Sequence, residues 1–245
     1  MRKIVLALML IVSSVCVAQD ETVLLRVNYN EGDQYKMVMT MNQNLTSAGM
    51  KTNTSMEMLM DIIGEEDDEY STKMKFTRIV MDILQGGSHM RYDSNEKDKD
   101  LDESSKQLEA QLLPMLQIAV FSRQNKLGKI FDVVVKPNVP NAEQYSNSNS
   151  IEFPEEVVKV GSSWSTEKMN QGLKSLLKYT VTEINETTVT AKISGKFEGV
   201  AGGEINGEVE LDRDSGIQNK MILIFDLKGN GESMKINIKV TMEKV

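Results

Sequence analysis

The 245-residue chain is poor in the residues that do chemistry. It has one histidine, one cysteine, one tryptophan and four prolines, and aromatic residues make up 5% of it. A single histidine, His89, leaves little material for proton shuttling near neutral pH, where imidazole is the usual carrier. It lies in Gly86-Gly87-Ser88-His89-Met90, between two predicted elements, and reads as an exposed loop residue. The only cysteine, Cys16, falls in the N-terminal segment, so the remainder of the chain has neither an internal disulfide nor a Cys–His pair. One histidine without a thiol excludes the common zinc sites. No Gly-x-Ser-x-Gly elbow occurs for a Ser–His–Asp hydrolase. The scarcity of aromatics argues against the sugar cleft that paired glycosidase carboxylates require. Basic residues are outnumbered, 28 Lys and Arg against 36 Asp and Glu, and the net charge of −8 gives no footprint for nucleic acid. The chain is therefore read as non-enzymatic, with no cofactor and no metal.

Long apolar runs are also missing. Ile4 to Val12 is the strongest, well short of the ~20 residues that span a bilayer, and no membrane span is expected. Arg2 and Lys3 precede that run, and Cys16 and Ala18 stand at −3 and −1 of a cleavage before Gln19. Residues 1–18 thus read as a signal peptide, which sends the chain to the periplasm or outside the cell. Acylation of Cys16 as a lipoprotein anchor is the competing reading, and Ser13-Ser14-Val15 suits it poorly.

What the chain does have is alternation with period two, the mark of strands with one buried face. Tyr35 to Met41 and Met56 to Ile62 alternate cleanly; Glu65-Glu66-Asp67-Asp68 then turns the chain into a strand from Tyr70 to Met81. The C-terminal half is patterned in the same way. There Leu177–Ile184, Val189–Phe197, Gly207–Leu211, Met221–Leu227 and Met234–Met242 are joined by polar or glycine-rich turns. Only residues 101–119 carry helical spacing, through Leu101, Leu108, Leu112, Met115, Leu116 and Ala119, with Asp102 or Ser104 as a cap. Pro114 should kink or split that helix. The predicted fold is mainly β (α+β): large antiparallel sheets forming a curved half-barrel or two packed β lobes, with one kinked amphipathic helix. Residues 19–135 form an N-terminal lobe, 136–150 a polar linker and 151–245 a C-terminal lobe, the two lobes being free to form one domain. Gly32-Asp33-Gln34-Tyr35 and Gly161-Ser162-Ser163-Trp164 open the two halves alike, a weak internal repeat. Lys235 and Lys239 alternate through the last strand and would protect it as a sheet edge.

Two clusters stand out. Asp212-x-Asp214-x-Gly216 has the start of a calcium loop but no Glu at the twelfth position, which is Leu223, so a plain turn explains it better. Methionine is the real excess, 17 residues in all. Met37, Met39 and Met41 share one strand face, and Met56, Met58 and Met60 share another. Thioethers at that spacing suit Cu(I), but the accompanying His or Cys is missing. Plain packing and a pliable, apolar ligand cavity lined by those six methionines both remain open.

Three stretches carry a resemblance: Gln124-Asn-Lys-Leu-Gly-Lys-Ile-Phe-Asp-Val133, Phe153-Pro-Glu-Glu-Val-Val-Lys-Val-Gly-Ser-Ser-Trp164 and Gly207-Glu-Val-Glu-Leu-Asp-Arg-Asp-Ser-Gly216. Together they resemble an uncharacterised family of exported bacterial β-rich proteins, a domain of unknown function. That resemblance implies a cell-envelope or secreted location and no catalytic residues. More remotely, the pattern is similar to the lipoprotein-carrier and lipid-binding half-barrels of the bacterial envelope, in which a half-open barrel cradles acyl chains beneath a helical lid. Two functions follow as expectations: an exported binder of an apolar ligand such as a lipid or acyl chain, or a structural module whose sheet meets another envelope protein or a glycan.

Overall fold

A computed structural model describes residues 21–96, 103–138, 150–170, 173–199, 202–229 and 232–245. The predicted signal peptide, the candidate cap Asp102 and most of the 136–150 linker lie outside the described residues. The first half of the chain contributes β1 (Thr22–Val23), β2 (Gln34–Leu45), β3 (Met50–Glu66), β4 (Glu69–Gln85) and β5 (Ser88–Asp93). Helix α1 (Glu103–Gln117) follows, then β6 (Ala119–Asn125) and β7 (Ile130–Lys136). The second half contributes β8 (Val158–Lys159), β9 (Ser163–Asn170), β10 (Leu173–Ile184), β11 (Thr188–Gly199), β12 (Gly202–Asp212), β13 (Gln218–Gly229) and β14 (Glu232–Lys244).

Twelve of these strands form one antiparallel sheet in the order β7-β6-β4-β3-β2-β14-β13-β12-β11-β10-β9, with β5 also on β4. The sheet is not closed: β7 and β9 are its two ends. Of the two predicted arrangements, the single continuous sheet is the one present. Its halves join where β2 meets β14, in register from Tyr35 opposite Lys244 to Leu45 opposite Met234. That seam corrects the expectation for the last strand. β14 is paired on both sides and lies mid-sheet, so Lys235 and Lys239 protect no edge there.

The alternation predicted from sequence sets one apolar face, and that face is concave. In β4 the rhythm slips: Met74 and Phe76 share it with Ile79 and Met81. The register shift pairs Glu57 with Arg78 and Met58 with Phe76, so Thr77 is an extra residue in a bulge. In the second half Val189, Ala191, Ile193, Val209 and Leu211 are wholly buried on this face.

Two irregular segments fill one end of the curve. Leu25, Val27 and Tyr29 alternate inward along residues 24–30, and Ile151 and Phe153 come in beside them. Their backbones bind the turns of both halves: Val27 N–H donates to Lys126 O at 2.8 Å, Phe153 N–H to Leu127 O at 2.8 Å, and Asn28 N–H to Ser215 O at 2.9 Å. Arg26 donates to the Pro154 and Glu155 carbonyls at 2.8 and 2.6 Å. Tyr29 packs against Tyr35 and Tyr70 with ring centroids 5.3 and 5.2 Å apart.

The internal repeat has a structural counterpart at the two strand entries. Gly32 N–H donates to Ile62 O while Ile62 N–H donates to Asp33 O; Gly161 N–H donates to Val181 O while Val181 N–H donates to Ser162 O. Each opening turn is thus clamped to the return strand of its own first hairpin by the same pair of bonds.

Helix α1 lies on β4 and β5, where Leu108, Leu112, Met115 and Leu116 pack with Ile79 and Tyr92. It runs unbroken through Pro114, three residues from its end, and the missing N–H there costs the bond to the Ala110 carbonyl. Ser104 sits inside its first turn and so does not cap it. Two further readings are corrected. His89 belongs to strand β5, not to a loop, and its Nε2 lies 3.2 Å from Asp82 Oδ1. Asp93, which with the charged residues up to Asp100 reads from sequence as the start of an exposed loop, ends that strand and is only 4% exposed; residues 97–100 lie outside the described residues.

Candidate functional site

Between the filled end and the helix, the concave face leaves a partly enclosed cavity of about 490 Å³. Such a volume is typical of small-molecule sites, ~300–1,000 Å³. The floor is methionine. Met37 and Met39 come from β2, Met56, Met58 and Met60 from β3, and Met74 with Phe76 from β4. These residues face one way because strand side chains alternate, and they meet because the register sets Met37 opposite Met58 and Met39 opposite Met56. The walls are Val120 and Ile130 on one side, Val240, Met242 and Met221 on the other, with Met115 of α1 and Phe153 closing the ends.

Five of the six methionines singled out from sequence therefore line one cavity. Met41 does not. It sits one level further along the sheet, between Thr54 and Ile238, where its sulfur accepts a 3.5 Å hydrogen bond from the Gln43 amide. Sequence reasoning missed Met74, Met115, Met221 and Met242. The spacing Met74-x-Phe76-x-x-Ile79-x-Met81 carries the bulge that returns β4 to the same face, and that signal was available. Nothing in the sequence announces Val27, Tyr29, Ile151 or Phe153, which come from segments without regular structure.

No Asp, Glu, Lys, Arg or His is among the lining residues. The polar ones are mostly occupied: Thr72 Oγ1 and Ser122 Oγ share a 2.8 Å bond, and Gln124 Nε2 donates to Gly128 O at 3.1 Å. Burial pushes the Tyr29 phenol well above its ordinary range, so it stays neutral. Lys168 stands behind the lining, donating to the Ser150 carbonyl at 2.7 Å, and burial pulls its ammonium below the usual lysine value. The cavity thus offers dispersion contacts with soft, adaptable sulfur side chains and very little electrostatic discrimination. Among the described residues no three His, Cys, Asp or Glu side chains gather into a metal site. No described helix is long and apolar enough to cross a membrane.

No protein-family model and no curated protein matches the chain, so the likeness of its turn signatures to exported β-rich proteins stands as a resemblance. Among solved structures the chain is similar in fold to lipovitellin, in a structure described by its lipid–protein interactions. The TM-score is 0.53 at 13% identity, over 88% of this chain and 25% of that one. The chain thus spans about a quarter of the lipovitellin chain. A mutant of Rh. blastica porin covers 86% of this chain and 99% of its own at 7% identity, but its TM-score of 0.25 carries no argument.

Proposed function

We propose that this protein is an exported, non-enzymatic binder of an apolar ligand, a lipid or acyl chain, held in the methionine-lined cavity. The observation that carries the reading is a cavity of about 490 Å³ whose lining includes nine methionines and no ionisable acid or base other than a neutral tyrosine. A packed core would have filled that volume, since close-packed interiors leave few voids larger than a water molecule. Methionine suits a ligand of variable shape because its unbranched thioether adapts to irregular contours. The fold shared with lipovitellin, a protein described by its lipid interactions, supports the same direction.

The test is a chain-length series of straight alcohols, octanol to octadecanol, whose head carries no charge for the cavity to reject. Each added methylene contributes ~0.8 kcal/mol, so the dissociation constant should fall about fourfold per carbon and then level off when the cavity is full. Met56→Trp, which fills part of the floor, should bring the plateau to shorter chains. Affinity that ignores chain length would remove the proposal. Export has its own check: intact mass of the protein recovered outside the cytoplasm should correspond to a chain beginning at Gln19. A chain retained in the cytoplasm with residues 1–18 attached would refute that half of the reading.

A further inference from the structure

The opposite, convex face of the sheet carries a second arrangement, independent of the cavity. At one level of the sheet, neighbouring strands place asparagine opposite asparagine: Asn237 on β14, Asn42 on β2 and Asn53 on β3. The row continues to Asp82 on β4 and, in the other direction, through Ile224 to Asn206. Asparagine is depleted in strands, because its short amide competes with the backbone. Three in register on central strands therefore run against local preference. Such conflicts concentrate at functional sites.

Packing and internal bonding do not account for the row. Among the described residues the Asn42, Asn53 and Asn237 amides have no hydrogen-bond partner. The next level holds Lys235, Asn44 and Lys51 in the same order across β14, β2 and β3. Neither lysine is in an ion pair among the described residues, although Asp226 stands opposite Lys235 on β13. Asp82, the acid at the end of the amide row, is already held by Arg91 at 3.3 Å and His89 at 3.2 Å. The two rows line a groove of about 250 Å³.

We infer that this groove binds an acidic, extended polysaccharide laid across the strands. The strands here are paired on both sides, so no backbone group is free to take a peptide as an added strand, and recognition falls to side chains. Each asparagine amide offers two donors and an acceptor, the complement of vicinal sugar hydroxyls. Amides repeat once per strand, ~4.8 Å apart, close to the advance of one sugar unit in an extended β-linked chain. Lys51 and Lys235 are two strand spacings apart, about 9–10 Å, and match a carboxylate on every second sugar. Recognition through amides needs no aromatic platform, which fits a face that has none in these rows. Single-stranded nucleic acid is bound by aromatic stacking platforms along a run of cations, and this groove is lined by two lysines and no aromatic ring.

The experiment titrates the full protein with carboxymethyl cellulose and with hydroxyethyl cellulose, two polymers of one backbone that differ in charge. The protein should bind both, and the charged polymer more tightly at low salt. The triple variant Asn42→Ala, Asn53→Ala, Asn237→Ala should lose at least about tenfold in affinity for both polymers, the effect of several missing hydrogen bonds. The double variant Lys51→Gln, Lys235→Gln should abolish only the preference for the charged polymer and its salt dependence. The far-UV circular dichroism and the urea unfolding midpoint should be unchanged in every variant, which shows that each is folded. No binding of either polymer by the unaltered protein would overturn the inference, as would undiminished binding by the asparagine variant. Neither result touches the cavity reading, which fails on alcohol uptake alone.

Discussion

Gly216→Ala is expected to be strongly damaging for so small a substitution, lowering the unfolding free energy by about 2–5 kcal/mol. Two costs combine there. Gly216 has φ +64°, a left-handed conformation that costs a side-chain-bearing residue about 1–2 kcal/mol. A Cβ at this position would also fall inside contact distance of the Arg26 carbonyl and against the Phe153 ring, and overpacking a fixed backbone costs about 1–3 kcal/mol. The turn has little room to yield, because Asp212 Oδ1 accepts from Ser215 N–H at 2.8 Å and Ser215 Oγ at 2.7 Å. Phe153 closes one end of the cavity, so alcohol uptake should fall along with stability. Gly32→Ala is the control: Gly32 has φ +90°, but nothing lies within 4 Å of its Cβ position. Urea unfolding should show Gly216→Ala losing clearly more than Gly32→Ala. Equal losses would mean that close approach of residues 26 and 153 does not constrain this turn.

Asp93→Asn should remove about 2 kcal/mol and flatten the acid limb of the stability profile. Asp93 is 4% exposed and accepts a two-pronged bond from Arg78, Nε to Oδ1 at 3.1 Å and Nη2 to Oδ2 at 2.7 Å. Asn95 N–H adds a third at 3.1 Å. Hydrogen bonds to a charged group are worth ~1.5–3 kcal/mol, and the amide keeps the shape but gives up the charge. The Arg78 bonds hold the Asp93 carboxyl below its ordinary value of 3.8. A lowered carboxyl pKa means that the folded state binds its proton less readily than the unfolded state. The stabilisation is therefore complete above about pH 4 and is lost as pH falls through the depressed value. Urea titrations from pH 7 to pH 2 should show a steeper decline below pH 4 in the unaltered protein than in Asp93→Asn. Parallel curves would assign the acid limb to other carboxylates, with Glu57 the next to examine, since Lys36 lowers its pKa too.

Much of the architecture is written in period-two alternation. β2, β3, β10, β11 and β14 were readable because each has one apolar face and a polar turn at its end. The order of strands in the sheet was not readable, because hairpins specify neighbours in sequence and say nothing about which hairpins meet. This is why β14 looked like an edge: Lys235 and Lys239 point outward from a central strand as readily as from a terminal one. His89 was misplaced because two glycines before it suggested a longer loop than the tight turn that β5 needs. For the candidate site, the methionine triplets mark the face of two strands that lines the cavity. How far the cavity extends depends on what covers that face, which is why Met41 falls outside it while Phe153, far along the chain, falls inside.

The β2–β14 seam has a consequence for how the molecule comes into being. Leu45 and Met234, paired at one end of it, are separated by roughly 190 residues. At ~5–20 residues per second, synthesis leaves the free side of β2 waiting about 10–40 s for its partner. During that interval Met37, Met39 and Met41 stand on the edge strand of a finished hairpin, the geometry that invites another nascent chain to add itself. Each half can zip locally as a meander, but the joint between them is a late, long-range event, which places this fold among slow folders. A chaperone that holds residues 34–66 until the last strand arrives would protect the nascent chain at its most vulnerable point.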